Sequence, residues 1–472
     1  MAKLIHPSKS PLQGRLKIKK MPIVIMLFIS LTWLSAQTTQ VIVSNKDTLK
    51  VGSYEDIHPR LDSLLHNSND IGEYFRLSRI NSDSLITYKK NIINVTLDTI
   101  IFRNNDEIRI SVLKQIFKPL INTKPIIETT KIFNTIVKST LFINDNSELF
   151  FGINKKHKVV GVINIKSNFN NYFSGLIGAS RSDEQKWTLN GQMDIHLENQ
   201  WKTANIVDLH WKRLDKESQI LNLKYEEPHP FGLPIGVSVA YNQDLRDGNY
   251  VNTNSAVGII KTVPSIGKLG FGGKNTKINS TAKGDSLGLA NLTKKSIYID
   301  CIIDYRNDYW LPTVGYFVTL YSEVGNRTVN DSNTISISAQ TKLEKYIPLF
   351  RKSNISLKVF GSGSWINSGT LLSGELIRYG GASNLRGYIE DHFKSDWVII
   401  PSIEYNIKLD SNQQIILFSD FALQDTYKPV PYGYGIGFTQ VTKNSVLKLY
   451  YGLGRGDSIK NGKIHFQFLT RL

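Results

Sequence analysis

The chain has 472 residues and a formal net charge of +17, and 10% of its residues are aromatic. Its one cysteine, Cys301, excludes an intramolecular disulfide, and its 9 histidines show no metal-ligand spacing, so we expect no metal site and no cofactor. No nucleic-acid motif accompanies the positive charge, which is expected to form a solvated basic surface or to meet anionic lipid or an acidic partner. Short runs rich in β-branched and aromatic residues favour a mainly β fold.

Residues 1–36 are predicted to be a secretory signal peptide. A basic stretch ends at Lys20, the almost wholly apolar run Met21–Leu34 follows, and Ser35-Ala36-Gln37 offers a cleavage site after Ala36. The apolar run is too short for a membrane-spanning helix, and no later stretch approaches eighteen apolar residues. Because the basic stretch is long for a signal peptide, translation starting at Met21 is an alternative. We expect a protein that is exported without a helical anchor.

Residues 95–166 are predicted to form a small α+β module. Strands are expected at Val95–Phe102, Glu148–Ile153 and Lys158–Ile165, with two helices between the first and second strands. Apolar residues at helical spacing mark these helices, namely Val112, Leu113, Ile116, Phe117 and Leu120 in the first and Ile126, Phe133, Ile136 and Val137 in the second. Residues 37–94, with a helical face at Ile57, Leu61, Leu64 and Leu65 and strands at Tyr74–Ile80 and Ser84–Val95, are predicted to be a second, degenerate module.

Residues 170–472 are predicted to form an antiparallel transmembrane barrel of about sixteen strands. Runs of about ten residues alternate between apolar and polar side chains, with Gly, Asn and Asp between them and no convincing helix. In one such run Ile299 and Cys301 face one side, whereas Asp300 and Asp304 face the other. Alternation alone also fits a large periplasmic or surface β protein. Export and the run length favour the barrel, because a closed barrel leaves no unpaired edge in lipid.

The Gly-rich segment Gly380–Tyr388 is a candidate functional loop. It lies between the strand-like runs Ile355–Trp365 and Trp397–Leu409, and loops of this length are usually functional or disordered. Arg386 has five donors in a fixed fork and would gain little at a solvated loop tip. If the loop folds into the lumen, alternation makes Glu404 and Asp420 its inward partners. The alternative is a solvent-exposed loop arginine.

The same segment carries a resemblance to a known family. Leu385-Arg386-Gly387-Tyr388 matches the motif Val/Ile/Leu-Arg-Gly-Phe/Tyr in the sixth extracellular loop of the outer-membrane assembly and two-partner-secretion barrels, also known as bacterial surface antigen D15-type proteins. Five strand-like runs follow it, as in that family. Further similar segments are Lys224–Pro228 with Phe231-Gly232, Asp304–Asn307 with Pro312 and Gly315, Phe418–Ala422 with Ala422 in place of Gly, and Ile464–Phe468. The module at residues 95–166 resembles a POTRA domain, the periplasmic binding unit of the family.

The resemblance implies a function without catalytic chemistry. The expected role is to assemble outer-membrane proteins or translocate proteins across the outer membrane of a diderm bacterium, with the N-terminal modules in the periplasm. Outer-membrane lipids, unfolded client proteins and accessory periplasmic or lipoprotein subunits are the expected partners. Leu385, Arg386, Gly387 and Tyr388 would form a latch in the lumen. A transporter for one dedicated exoprotein is the alternative, and a passive pore is a third reading.

The resemblance also directs attention to the seam between the first and last strands. The closing strand is predicted around Ile464, Phe466, Phe468 and Leu472, and the first strand at Tyr172–Ser180. In the family this seam can open sideways to pass client strands, and a permanently closed barrel is the alternative. The last residue is Leu472 instead of an aromatic residue, and the number of POTRA-like modules is low for a main assembly barrel.

Two short motifs are predicted to carry no chemistry. Gly284-Asp285-Ser286-Leu287-Gly288 fits a nucleophile pattern, but that chemistry needs a strand-to-helix elbow with Asp and His partners. Arg455-Gly456-Asp457-Ser458 resembles an adhesion tripeptide and is better explained as a turn before the last strand.

Overall fold

A computed structural model describes residues 39–43, 47–51, 53–66, 72–82, 85–92, 95–103, 106–140, 142–156, 158–181, 187–213, 217–263 and 266–472. The predicted signal peptide, residues 1–36, lies outside these ranges. Within them, no helix combines the length and the apolar character needed to cross a membrane.

The first module has four strands and one α-helix. Its elements are β1 (Thr39–Val43), β2 (Asp47–Val51), α1 (Ile57–His66), β3 (Glu73–Ser82) and β4 (Leu85–Ile92). The sheet order is β2-β1-β4-β3, in which β1 and β4 run parallel. Ile57 and Leu61 of the predicted helical face are buried in its core with Val41, Val51 and Ile86. In its described residues the module therefore has one α-helix where the β-α-α-β-β order has two.

The second module follows the predicted order. It contains β5 (Leu97–Arg103), α2 (Ile110–Ile116), α3 (Ile127–Ser139), β6 (Glu148–Ile153) and β7 (Val159–Asn164), with sheet order β5-β7-β6. The ring of Phe117 lies 5.8 Å from that of Phe102 and 5.9 Å from that of Phe133. The first helix ends at Ile116 and not at Leu120 as predicted. Pro119 disfavours an α conformation at the preceding residue, and a 3₁₀ turn occupies Lys118–Leu120 instead.

The rest of the chain is built from strands. Those before the longest loop are β8 (Tyr172–Arg181), β9 (Trp187–Glu198), β10 (Ile206–Arg213), β11 (Gln219–Glu227), β12 (Gly236–Arg246), β13 (Tyr250–Val263), β14 (Gly267–Ser280), β15 (Leu292–Asp304), β16 (Gly315–Val329), β17 (Ser332–Phe350) and β18 (Ser353–Ile366). The loop holds a small hairpin of β19 (Ile377–Tyr379) and β20 (Phe393–Ser395). The remaining strands are β21 (Trp397–Lys408), β22 (Gln413–Phe421), β23 (Tyr432–Val441), β24 (Ser445–Gly454) and β25 (Lys463–Arg471).

All of these strands except β19 and β20 close into one barrel of sixteen strands. Each pairs antiparallel with its neighbours, and β25 pairs with β8 to complete the ring. The period of two separates the faces as predicted: Ile297 and Ile299 of β15 are 55% and 58% exposed on the outside, whereas Tyr298 is 9% exposed. The predicted mainly β fold with a sixteen-stranded antiparallel barrel is confirmed.

Antiparallel pairing also defines two ends of the barrel. The near end is where β8 begins and β25 ends, and the far end is opposite. Residues 367–396, between β18 and β21, form the far-end loop, which contains Gly380–Tyr388. Residues 305–314, between β15 and β16, form the near-end turn.

One short helix interrupts the barrel region, in which no helix was predicted. It is α4 (Ala282–Ser286), and the side chain of Thr281 caps it by accepting a hydrogen bond from the nitrogen of Gly284. A helix of five residues is too short to show a helical period in the sequence.

Candidate functional site

Arg386 lies inside the barrel and donates to one carboxylate of β22. Its backbone nitrogen and its Nε donate to Asp420 Oδ2 at 3.0 and 2.8 Å, and its Nη2 donates to Asp420 Oδ1 at 2.6 Å. Arg386 is 6% exposed and Asp420 is fully buried. A guanidinium that meets both oxygens of a carboxylate forms a strong pair of defined orientation.

Glu404 provides a second carboxylate on the neighbouring strand. Arg386 Nη1 donates to Glu404 Oε1 at 2.8 Å, and the other oxygen of Glu404 accepts from Lys358 Nζ at 2.7 Å and from Ser356 Oγ at 2.9 Å. The site thus sets two cations against two carboxylates in a buried place, where an unpaired charge would be costly.

The strand register explains why these carboxylates meet. Ser402 of β21 lies opposite Asp420 of β22, and Glu404 lies opposite Phe418, so all four side chains share the inward face. Ser402 Oγ accepts from Arg386 Nη2 at 3.0 Å and donates to Asp420 Oδ1 at 2.6 Å. The structure therefore brings together Arg386, Asp420 and Glu404, which the sequence selected as partners.

Two aromatic rings lie close to the guanidinium. The guanidinium carbon Cζ of Arg386 lies 3.7 Å from the ring centroid of Phe418 and 5.4 Å from that of Tyr450. The two rings meet edge to face at 6.0 Å. Cation–π contact is strongest where water is excluded, so the rings add to the ion pairs.

Glycines allow the loop backbone to touch the barrel wall. Gly387 has φ +94°, and a Cβ there would lie 2.5 Å from the carbonyl carbon of Leu453. A Cβ on Gly433 of β23 would lie 1.7 Å from the carbonyl oxygen of Arg386. The sequence analysis missed Gly433. The glycines at alternate positions in Tyr432–Gly435 were the signal, because they leave one face of a strand without side chains.

Tyr388 and Leu385 fix the loop on either side of the arginine. The Tyr388 hydroxyl donates to the Tyr432 carbonyl at 3.1 Å and accepts from the Arg455 nitrogen at 2.9 Å. Leu385 is fully buried in an apolar cluster that also contains Tyr379, Phe393, Val398, Ile400 and Ala422. Ala422, which stands where the family motif has Gly, contributes its methyl group to this cluster.

Further ion pairs hold the far-end loop to other parts of the barrel, and the sequence analysis missed the two shortest. Arg327 of β16 donates to Glu375 from Nε at 2.8 Å and from Nη2 at 2.7 Å. Arg246 of β12 approaches Asp391 at 2.7 Å. Arg327 lies on an inward position of an alternating strand, and this position could have marked it as a lumen residue. Its partner could not be predicted, because the pair forms only in the closed barrel.

The seam between β25 and β8 is short. Among the described residues of these strands, only Thr470 with Phe173 and Arg471 with Tyr172 are in register. Next to them, Leu472 donates from its nitrogen to the Asn171 carbonyl at 2.9 Å, and Ser174 Oγ donates to the Phe468 carbonyl at 2.6 Å. The predicted closing-strand side chains all point outward and are exposed, namely Ile464, Phe466, Phe468 and Leu472.

The two deceptive motifs have local structural roles. Ser286 lies in α4 and donates its hydroxyl to the carbonyl of Lys283 at 2.7 Å. Asp457 accepts from the Gly454 nitrogen at 3.0 Å and pairs with Lys463 at 3.1 Å, within the turn before β25. Burial raises the pKa of Asp457, but these contacts outweigh it, so the pKa lies below its usual value. In the described part of the chain, no group of three His, Cys, Asp or Glu residues could hold a metal ion.

The fold matches solved structures of outer-membrane barrels. BamA from Haemophilus ducreyi lacking POTRA domains 1–3 is 15% identical, with a TM-score of 0.53 over 92% of this chain and 98% of that chain. CdiB from Acinetobacter baumannii is 13% identical, with a TM-score of 0.55 over 90% of this chain and 82% of that chain. CdiB from Escherichia coli is 12% identical, with a TM-score of 0.54 over 94% and 92%. At such identities the likeness shows the fold.

No curated protein matches the chain at a significant level. The family model of the Omp85 superfamily domain matches residues 199–454. Because this match spans more than half of the sequence and the structure is a closed barrel of sixteen strands, the chain belongs to the Omp85 superfamily.

Proposed function

We propose that this protein is an outer-membrane barrel that assembles outer-membrane proteins or moves proteins across the outer membrane. We propose further that the far-end loop, held in the lumen by Arg386, is part of its machinery. The observation that carries the proposal is the buried fork between Arg386 and Asp420, with Glu404 as a second partner. Two buried carboxylates on neighbouring strands hold the loop at one position in the lumen, which a solvated loop tip would not require.

The physical role assigned to this fork is to hold one loop conformation inside the barrel. Residues 367–396 are long enough to sample many conformations, and ordering them costs conformational entropy. Arg386, the apolar cluster around Leu385 and the pair Arg327–Glu375 offset that cost at three places. A loop ordered in this way gives the inner face of the barrel a fixed shape that a client can meet.

The seam is the proposed site where client strands are handled. Among the described residues, only two of β25 are in register with β8, whereas β24 pairs with β25 along the strand from Ser445–Thr470 to Gly452–Lys463. Unpaired backbone groups at a strand edge accept a further strand readily. Outer-membrane lipid would surround the exposed apolar side chains of β25.

The N-terminal modules are assigned to the periplasm, where they would meet unfolded clients or accessory proteins. An added client strand at a sheet edge is the physical mode we favour, because main-chain hydrogen bonds are independent of client sequence. A role as spacer or folding aid for the barrel is the competing use of these modules.

The second candidate function is secretion of one dedicated partner protein. The described chain holds only two modules before the barrel, at residues 39–92 and 97–164. The fold is similar to two CdiB structures, which supports this candidate, as the similarity to BamA supports the first.

Depletion of the protein in its host tests the proposal and separates the two candidates. Broad loss of outer-membrane proteins supports general assembly, and loss of one secreted protein supports dedicated secretion. Complementation with wild type and with Arg386→Ala then tests the loop. Unchanged outer-membrane and secreted proteomes after depletion would contradict both candidates, and full rescue by Arg386→Ala would remove the loop from the machinery.

A further inference from the structure

The near-end turn reaches across the barrel to the strand that forms the seam. Its flanking strands, β15 and β16, lie on the side of the ring opposite β8. Nevertheless, the Trp310 ring of this turn lies 5.7 Å from the ring of Tyr172, the first residue of β8, at an interplanar angle of 71°. A turn that only joined its two strands would not meet residues from the far side of the ring, so this one crosses the near end of the lumen.

A cation from a third strand also lies near the same indole. Lys448 of β24 places its Nζ 5.7 Å from the ring centroid of Trp310. Tyr309 packs edge to face on Trp310 at 4.8 Å. Trp310 therefore joins the turn to β8 and to β24, which lie on both sides of the closing strand β25.

Hydrogen bonds within the near-end turn fix its backbone, so the turn can hold Trp310 in position. Asp308 Oδ1 accepts from the nitrogens of Trp310 and Leu311 at 2.8 and 2.7 Å. Asn307 Oδ1 accepts from the nitrogens of Thr313 and Val314 at 2.9 and 3.0 Å. Short polar side chains that satisfy the backbone in this way fix a turn without help from a regular element.

The base of the turn is fastened to the inner wall on its own side. Arg306 Nε donates to Asp304 Oδ1 at 2.9 Å, and its guanidinium carbon lies 4.6 Å from the ring centroid of Phe317 in β16. The base is thus held by charge, whereas the tip is held mainly by ring faces. The Trp310 Nε1 atom is buried and has no hydrogen-bond partner among the described residues. Release of the tip needs no ion pair to break.

From these contacts we propose that the near-end turn is a lid over the lumen, hinged at Arg306 and closed by Trp310 against Tyr172. Closure occupies the near end of the lumen and braces β8 beside the seam. Passage of a client through that end, which rests on the proposed function, would require Trp310 to leave Tyr172. The lid itself is a property of the barrel and can be measured without any client.

Ion conductance of the purified protein in planar bilayers tests the lid directly. Trp310→Ala is expected to raise the mean conductance by about twofold or more, because a constriction that dewets or fills a pore limits ion flow. Trp310→Phe, which keeps a ring, should stay close to wild type. Val314→Ala is the matched control in the same turn, since Val314 is 47% exposed. Equal conductance of Trp310→Ala and wild type would overturn the proposal.

Thiol labelling gives a second measurement that leaves Trp310 in place. In a Cys301→Ser background, Leu311→Cys reports a side chain that is 3% exposed and Val314→Cys reports one that is 47% exposed. With the lid closed, Leu311→Cys is expected to react about tenfold more slowly with a maleimide, since the site must open locally first. Adding Trp310→Ala should accelerate it. Equal rates at the two positions, or no acceleration, would overturn the lid even if the proposed client function stands.

Discussion

Arg386 donates three hydrogen bonds to the single carboxylate of Asp420, one from its backbone nitrogen and two from its guanidinium. The backbone bond fixes the position of the loop, and the side-chain bonds fix the orientation of the fork. A lysine at this position could supply charge but not the two parallel donors, because an ammonium is a point charge. The contact with Asp420 therefore fixes both the position of the loop backbone and the orientation of the Arg386 side chain.

The first prediction concerns this pair. Arg386→Ala or Asp420→Ala leaves one buried charge without its partner, a change that typically costs about 3–5 kcal/mol. We expect protease-sensitive far-end loops and lower yields of folded barrel, measured by heat-modifiable migration on gels. Arg386→Lys should rescue only in part.

Arg455→Ala is the control for these variants, because Arg455 is an exposed arginine whose side chain donates to the carbonyl of Val430 at 3.3 Å, lies 5.8 Å from the ring centroid of Tyr432 and pairs with no carboxylate in the described structure. It should migrate and resist protease like wild type. Wild-type behaviour of both Arg386→Ala and Asp420→Ala would show that the pair does not hold the loop.

A second prediction concerns the contact between the loop and β23. Gly433→Ala places a methyl group 1.7 Å from the carbonyl oxygen of Arg386, so either backbone must move. Overpacking of this kind costs about 1–3 kcal/mol. We expect limited proteolysis within the loop while the barrel stays folded. Gly273→Ala, whose Cβ would have no neighbour closer than 4.0 Å, should be silent, and equal proteolysis of the two variants would refute the contact.

A third prediction separates the two ends of the far-end loop. Arg327→Ala and Glu375→Ala each remove the pair that holds the part of the loop before β19. Cleavage is expected to appear in residues 367–376, with Gly380–Tyr388 still protected by the Arg386 contacts. Arg351→Ala, at an exposed arginine in the turn between β17 and β18, serves as control. If cleavage spreads through the whole loop, the two anchors are not independent.

A fourth prediction tests the seam and rests on the proposed function. Thr470 and Phe173 lie opposite each other in the ladder, so cysteines at both positions in a Cys301→Ser background can be joined under oxidation. If clients pass the seam, cross-linking should abolish assembly or secretion, and a reductant should restore it. A cysteine pair at Leu447 and Phe468, inside the β24–β25 ladder, should have no effect. Full activity of completely cross-linked protein would point to a permanently closed barrel.

The sequence predicted the features that depend on local period. Alternation alone separated Glu404 and Asp420 from Ile403 and Phe421, because side chains in a strand change face at every residue. Strand number followed from the same signal, repeated along the chain. The partners of Arg386 could be named because they lie on the two strands that follow its loop.

What the sequence could not supply depends on closure of the ring. Glu375 and Arg327 lie 48 residues apart, and Trp310 meets Tyr172 only because the ring is closed and the near-end turn crosses it from β15 and β16 toward β8. No local pattern encodes such distances. The number of residues paired at the seam could not be predicted for the same reason, because the sequence of β25 alternates like that of any other strand. Periodicity marked helix α1 of the first module through Ile57 and Leu61, but it did not show that these residues would pack against Val41 of β1.

The glycine contact between Gly433 and Arg386 has a mechanical consequence. Because no side chain stands between the two backbones, there is no rotamer that could loosen the loop by degrees. If the segment moves away from the barrel wall, the backbone hydrogen bond, the guanidinium hydrogen bonds and the ring contacts of Arg386 are all lost together. Release of Gly380–Tyr388 should therefore be an all-or-none event, and a population of molecules would show two discrete states of this segment with few intermediates between them.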